Sequence, residues 1–231
     1  MTKRKIQYWV IPPEANSEFV ASMEEVLETY EQPYDQRFPV VCMDEQPVQL
    51  LKETRVPIPA TKEYPRRVDY EYERAGTASI FMFCEPLSGW REVHVREQRT
   101  KVDWALEMEE LLRKRYPQAE QVILVCDNLN THTKGAFYEA FRPEQARAIV
   151  RRLDFRHTPK HGSWLNIAEN ELSSLTRQCL KGQRLGDLKS LRSETQAWHQ
   201  ASNKKQRGVD WQFKINDARR KLKSLYPKIL V

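Results

Sequence analysis

What the chain lacks narrows its class first. No stretch of the 231 residues approaches the roughly 18 apolar residues of a membrane span. Met1-Thr2-Lys3-Arg4-Lys5 is basic, but no apolar core follows it, so no secretory signal is expected. The four cysteines, Cys42, Cys84, Cys126 and Cys179, are far apart. Without a close pair they offer no zinc knuckle, and they read as reduced, small core hydrophobes. His157 and His161 have a metal-like spacing, but zinc needs more ligands than these two. There is no internal repeat and no low-complexity segment. The absences together predict a cytoplasmic globular chain.

What is present fits one large domain, or one domain with an appendage. Hydrophobic residues make up 40% and charged residues 30%, enough for a real core. The net charge of +6 is unevenly spread. Lys181 to Val231 holds 13 Lys and Arg against 4 Asp and Glu, an excess of nine, so the first 180 residues carry a deficit of three. A basic segment of this kind suits phosphate contacts. Lys204-Lys205-Gln206-Arg207 reads as an exposed basic loop within it.

Periodicity gives the elements. Phe19, Val20, Met23, Val26, Leu27 and Tyr30 predict an amphipathic helix over 14–31, stopped by Pro33. Phe38 to Asp44 and Val122 to Asp127 are apolar runs that read as buried strands, and Val48 to Leu51 continues the first in extended form. A proline-stiffened basic loop follows, with Arg55, Lys62, Arg66 and Arg67. Val68 to Glu73 alternates in the strand period, Gly76 marks a turn, and Ala78–Cys84 and Trp90–Val95 complete an antiparallel meander. Thr100 caps a helix over 101–116 with Val102, Leu106, Leu112 and Tyr116 inward. Residues 134–149 read as helix interrupted near Pro143, and 150–155 as an edge strand. A helix over 164–180 carries the stripe Trp164, Ala168, Leu172, Leu175 and Cys179. Two more helices are expected near 185–202 and 216–225. This order predicts a mixed α/β sheet with helices on its faces, in which the first and fourth strands can be neighbours.

Both buried runs end in a carboxylate, and a partly buried charge must be paired, protonated or bound to metal. Adjacent first and fourth strands would set Asp44 beside Asp127. Glu169 lies about 100° round its helix from the apolar stripe, at the edge of the core. Three carboxylates on rigid elements are what a two-metal phosphoryl-transfer site needs. Two like charges side by side favour a cation between them, and magnesium takes oxygen ligands. Glu45 and Glu171 are rivals. Glu45 points to the opposite strand face from Asp44, and Glu171 is roughly 200° round the helix from Glu169. Asn166 shares Glu169's helical face in this reading, either orienting the carboxylate, touching DNA or standing as a surface amide.

Asp44-Glu45-Gln46-Pro47, Cys126-Asp127-Asn128-Leu129-Asn130-Thr131-His132 and Ser163-Trp164-Leu165-Asn166-Ile167-Ala168-Glu169 resemble the three motifs of a DDE transposase. The likeness is to the bacterial insertion-sequence branch of the mariner superfamily. Trp9-Val10-Ile11-Pro12-Pro13, Trp211-Gln212-Phe213 and Leu225-Tyr226-Pro227 are similar to the same branch. The resemblance implies a ribonuclease H-like (retroviral-integrase-like) fold and Asp44, Asp127 and Glu169 as the catalytic, metal-binding carboxylates. Two Mg2+ ions, with Mn2+ as substitute, would be the cofactor. The implied reaction is cleavage at transposon ends, then joining of the freed 3′-hydroxyl to target DNA. A nuclease or resolvase without joining, or a non-catalytic DNA-binding remnant, is the alternative. Expected DNA contacts are Arg55, Arg66, Arg67, Asn130, His132, His161, Lys204, Lys205 and Arg207. The resemblance also implies a homodimer on DNA, a separate helix-turn-helix domain or chain for end recognition, and a place at the bacterial nucleoid. The expected layout is a helical lead-in over 1–35, a catalytic domain over 36–180 and a basic helical segment over 181–231.

Overall fold

A run that is apolar at every position cannot turn one face to water, so the segment ending at Cys126 must be covered on both sides. In the computed structural model, which describes residues 15–228, this segment is β4 (Val122–Cys126), buried throughout. It lies between β1 (Val40–Glu53) and β5 (Leu153–His157), with β2 (Tyr72–Glu85) and β3 (Trp90–Arg96) beyond β1, in the sheet order β3-β2-β1-β4-β5. The first three strands are antiparallel, and β4 and β5 run parallel to β1. The mixed sheet and the contact of the first and fourth strands agree with the sequence reading.

Side-chain alternation along the strands divides the interior into two cores. Cys42, Met82 and Val125 pack with α1 (Ser17–Glu31), α5 (Ile167–Leu175) and α6 (Leu188–Asn203) through Met23, Leu172 and Leu191. Val41, Met43 and Leu124 face the other way, onto α2 (Lys101–Lys114), α3 (Lys134–Ala140) and α4 (Pro143–Arg151). Trp104 of α2 is the largest fully buried side chain on that side.

The basic C-terminal stretch returns to the first core. Trp211, Phe213 and Ile215 pack against it, and Ala218 of α7 (Ile215–Lys221) and Leu225 are buried in it. Trp211 stands 5.4 Å from the Tyr30 ring, and Phe213 lies edge-on to the half-buried Trp164. The Asn16 N–H donates to the Leu225 carbonyl at 3.0 Å, joining the two ends of the described chain. The excess of positive charge therefore sits on an element that also helps to close the core. The Trp9–Pro13 segment lies outside the described residues.

Four local expectations change. Val68–Glu73 is not a strand closed by a turn at Gly76. One long β2 runs through Gly76, which sits at φ 104° where the register with β1 shifts between Gln49 and Leu51. Glycine accepts that angle, so the chain bulges without ending the strand. On α2 the inward residues are Trp104, Ala105, Met108, Leu111 and Leu112, while Val102 is exposed. The expected N-cap is present: Thr100 Oγ1 accepts the Asp103 N–H at 3.2 Å and the Asp103 carboxylate accepts the Thr100 N–H at 2.9 Å. β5 begins at Leu153 because α4 runs on through Arg151. Finally, the 164–180 helix is divided into a 3-10 turn (Ser163–Leu165), α5, and a π turn (Thr176–Leu180), because Asn166 caps α5.

Candidate functional site

The site grows from the β1–β4 register. Cys42 pairs with Val125 in parallel. Asp44 lies two residues past Cys42 in β1, and Asp127 two past Val125, one residue beyond the end of β4, where its charge bears on Asp44. β4 ends at Cys126 while β1 continues to Glu53, which leaves the pair at the carboxyl end of β4. Asp44 accepts the Glu45 N–H at 2.7 Å. Burial first, then the charges of Asp127, Glu169 and Glu45, push the Asp44 carboxyl up to about 7, against the pull of that N–H. The three carboxylates named from sequence thus share one electrostatic field.

Glu169 stands in the first turn of α5, and the start of that helix is fixed to β1. Asn166, almost fully buried, donates from Nδ2 to the Met43 carbonyl at 2.9 Å and accepts the Ala168 N–H at 3.1 Å. It therefore holds the helix N-terminus against the residue that precedes Asp44. Tyr30 of α1 adds a second tie by donating to the Leu165 carbonyl at 2.8 Å. Asn166 is thus neither a surface amide nor a member of Glu169's helical face. Asn-x-x-Glu just before an apolar run is a helix-start pattern, so the signal was in the sequence.

The rival carboxylates are engaged elsewhere. Glu171 takes a fork from Arg91, with Nε–Oε2 at 2.8 Å and Nη2–Oε1 at 2.9 Å. Glu45 turns to the opposite face from Asp44, with a side chain only 1% exposed, and its Oε1 is 3.1 Å from His132 Nε2. His132, expected at a DNA surface, is instead wholly enclosed. Its Nδ1 is 3.2 Å from the Asp127 carbonyl oxygen and 2.7 Å from Asp127 Oδ1. Burial opposes a charge on this ring, but its bonds to Asp127, Cys126 and Glu45 prevail and push it up to about 12. A loop histidine gives no sequence sign of burial, because the carboxylate that draws it inward lies on another strand.

The other expected DNA contacts lie at the surface. Arg55, Arg66 and Arg67 are exposed on the β1–β2 connection, Arg55 paired with Asp69 at 3.1 Å and Arg67 stacked over Tyr64. Asn130 and His161 are exposed, the latter at φ 66°. Lys204, Lys205 and Arg207 project from the turn after α6. That turn is joined to α5 through Arg91, which holds Glu171 and also donates to the Arg207 carbonyl at 3.1 Å.

For a metal, Asp44, Asp127 and Glu169 offer hard oxygen donors, and the Asp127 side chain, with Oδ1 against His132, is still 33% exposed. Raised Asp44 and like charges with no lysine or arginine paired to them among the described residues fit a site that takes divalent cations. The three do not yet form a tight donor set. Among the described residues, only His94, Glu107 and Glu110 have ligand atoms all within 4.8 Å of one another. That second cluster is already neutralised, since Arg96 pairs with Glu107 and Lys114 with Glu110.

A family model described as DDE superfamily endonuclease matches residues 39–192, from the residue before β1 into α6. No curated protein matches the chain. Among solved structures it is similar to the Mos1 mariner paired-end complex with Mn, with TM-score 0.54 and 18% identity over 87% of this chain and 60% of that one. It is similar also to a pre-cleavage Mos1 transpososome, with TM-score 0.58 and 15% identity over 99% of this chain and 68% of that one. For the Mos1 strand-transfer complex the values are 0.53, 16%, 87% and 59%. At these identities the likeness is one of fold, the ribonuclease H-like sheet flanked by helices. The chain spans 60% of the length of the Mos1 chain in the Mn complex. Among the described residues, no helix is long and apolar enough to cross a membrane.

Proposed function

We propose that this chain, which belongs to the DDE superfamily endonucleases, is the catalytic part of a transposase that cuts DNA at transposon ends and joins them to a target. The observation that carries the reading is that the charges of Asp127, just past the strand paired with β1, and of Glu169, at the anchored start of α5, both act on Asp44. Asp44, Asp127 and Glu169 are the residues that would hold divalent ions, Mg2+ or Mn2+. Bound there, a pair of such ions supplies Lewis-acid activation of the attacking water or 3′-hydroxyl and stabilisation of the leaving oxygen. Asp44, with its carboxyl near 7, would be deprotonated to serve as a ligand. Asn166 keeps Glu169 in register with β1 throughout.

In this reading residues 36–180 carry the chemistry, and the basic stretch from 181 onward adds affinity for DNA of any sequence through Lys204, Lys205 and Arg207. Arg55, Arg66, Arg67, Asn130 and His161 add further contacts. End recognition falls to a separate helix-turn-helix domain or chain, and the enzyme works as a homodimer at the bacterial nucleoid. The paired-end arrangement named for the Mos1 structures supports the dimer. The test is a supercoiled-plasmid assay in Mg2+ with pre-cut transposon-end DNA. Joined products that vanish in Asp127→Asn, with DNA affinity equal or higher, are expected. Nicking without joining would reassign the chain as a nuclease, and binding alone would make it a non-catalytic DNA-binding protein.

A further inference from the structure

We infer that His132, braced by Glu45, is the positioning residue that fixes the Asp127 carboxylate opposite Asp44 and thereby sets the affinity of the site for divalent cations. The inference rests on the proposed metal role of Asp127. Adjacent residues of β1 serve opposite faces of the sheet: Asp44 enters the carboxylate site, and Glu45 enters the second core. A carboxylate in that core needs a partner. It finds one in His132, whose ring stacks on Trp104 at 5.3 Å and has no exposed surface.

The loop after β4 turns back to bring this ring in, with the His132 N–H bonded to the Leu129 carbonyl at 3.0 Å. Both ring nitrogens then face carboxylates, Nε2 toward Glu45 at 3.1 Å and Nδ1 toward Asp127 Oδ1 at 2.7 Å. Asp127 Oδ1 is buried against the ring, although the side chain as a whole is 33% exposed. The exposure therefore belongs to the rest of the side chain, on the side away from His132. β1 thus determines both members of the aspartate pair, Asp44 directly and Asp127 through Glu45 and His132. A histidine that only filled a core would need one polar partner. This one connects a buried anchor to the rim of the site, and partners of that kind orient metal ligands.

Asparagine and glutamine at position 132 separate the two contacts. His132→Asn places an N–H near the position of Nδ1 and keeps the Asp127 contact. His132→Gln reaches the position of Nε2 and keeps only Glu45. Mn2+ affinity is measured by calorimetry without DNA, beside the melting temperature, duplex affinity and the metal dependence of cleavage. Asp127→Asn serves as the control. His132→Gln should weaken Mn2+ binding by about ten- to a hundredfold, with His132→Asn closer to wild type. Cleavage by His132→Gln should recover at raised Mn2+, and duplex affinity should not move. If Asp127→Asn loses Mn2+ while His132→Gln, folded, binds it like wild type, the inference is overturned and the metal reading stands. Wild-type Mn2+ binding in Asp127→Asn would overturn both.

Discussion

The carboxylates of Glu92, Glu107 and Glu110, between β3 and α2, sit among their own counter-ions, whereas Asp44, Asp127 and Glu169 do not. In the first group a bond from His94 holds Glu92 below the usual carboxylate range, and a bond from Lys114 does the same for Glu110. Burial opposes a charge on His94, but its bonds to Glu107 and Glu92 push it up to about 10. In the second group the only cation paired with a carboxylate, among the described residues, is His132, and Asp44 rises to about 7. The tighter cluster is therefore the completed one, and the looser cluster is the one that lacks positive charge. Proximity of donors alone does not make a metal site; unneutralised charge has to accompany it.

The comparison can be broken by exchanging one carboxylate in each cluster for its amide. Asp127→Asn should take cleavage to background while shifting the melting temperature little, since relief of the repulsion on Asp44 offsets the loss of His132's charged partner. Glu107→Gln should do the reverse. It leaves His94 and Arg96 beside a buried neutral group, which costs about 3 kcal/mol, with residual cleavage by the folded fraction. Thermal melts beside a nicking assay decide it. Loss of cleavage in Glu107→Gln at full stability would place the chemistry in the wrong cluster.

Acidity sharpens the contrast. The folded pKa of Asp44, about 7, lies above the ordinary 3.8. Its contribution to the stability of the metal-free protein is thus fully present below about pH 4 and lost as pH rises through 7. His94 moves from 6.5 to about 10, so its contribution is full below 6.5 and lost as pH rises through 10. Melting curves of Asp44→Asn should lose the pH dependence in the lower window, and those of His94→Gln that in the upper one. Mn2+ should raise the melting temperature more at pH 8 than at pH 6, because protons compete for Asp44. An equal shift at both values would contradict the assignment.

Much of this was legible in the residues, and the exceptions have physical causes. β1 and β4 declared themselves as apolar runs closed by aspartate, and their adjacency followed from the order of elements. His132 could not be placed, because Glu45, which draws it inward, is 87 residues away. The same distance problem hides Arg91, whose fork accounts for Glu171 from 80 residues upstream. Asn166 is legible as a cap, but it sits within a longer apolar stripe that begins at Trp164 and masks the helix start. Trp211 and Phe213 lie outside any regular element, so no periodicity announces that they seal the first core.

The smallest expected effect concerns the basic turn. Neutralising Lys204, Lys205 and Arg207 together should weaken all duplex sequences alike. It should flatten the log–log salt dependence by up to about 0.9 for each phosphate left without its lysine or arginine. An unchanged slope, read by binding titrations across a salt series, would move the affinity to Arg55, Arg66 and Arg67.

The most direct measurement is a crystal structure with Mn2+, read by its anomalous scattering. The account predicts manganese between Asp44 and Asp127, with Glu169 drawn in and a second ion about 4 Å from the first. Manganese at His94, Glu107 and Glu110, with no peak between the two aspartates, would contradict it.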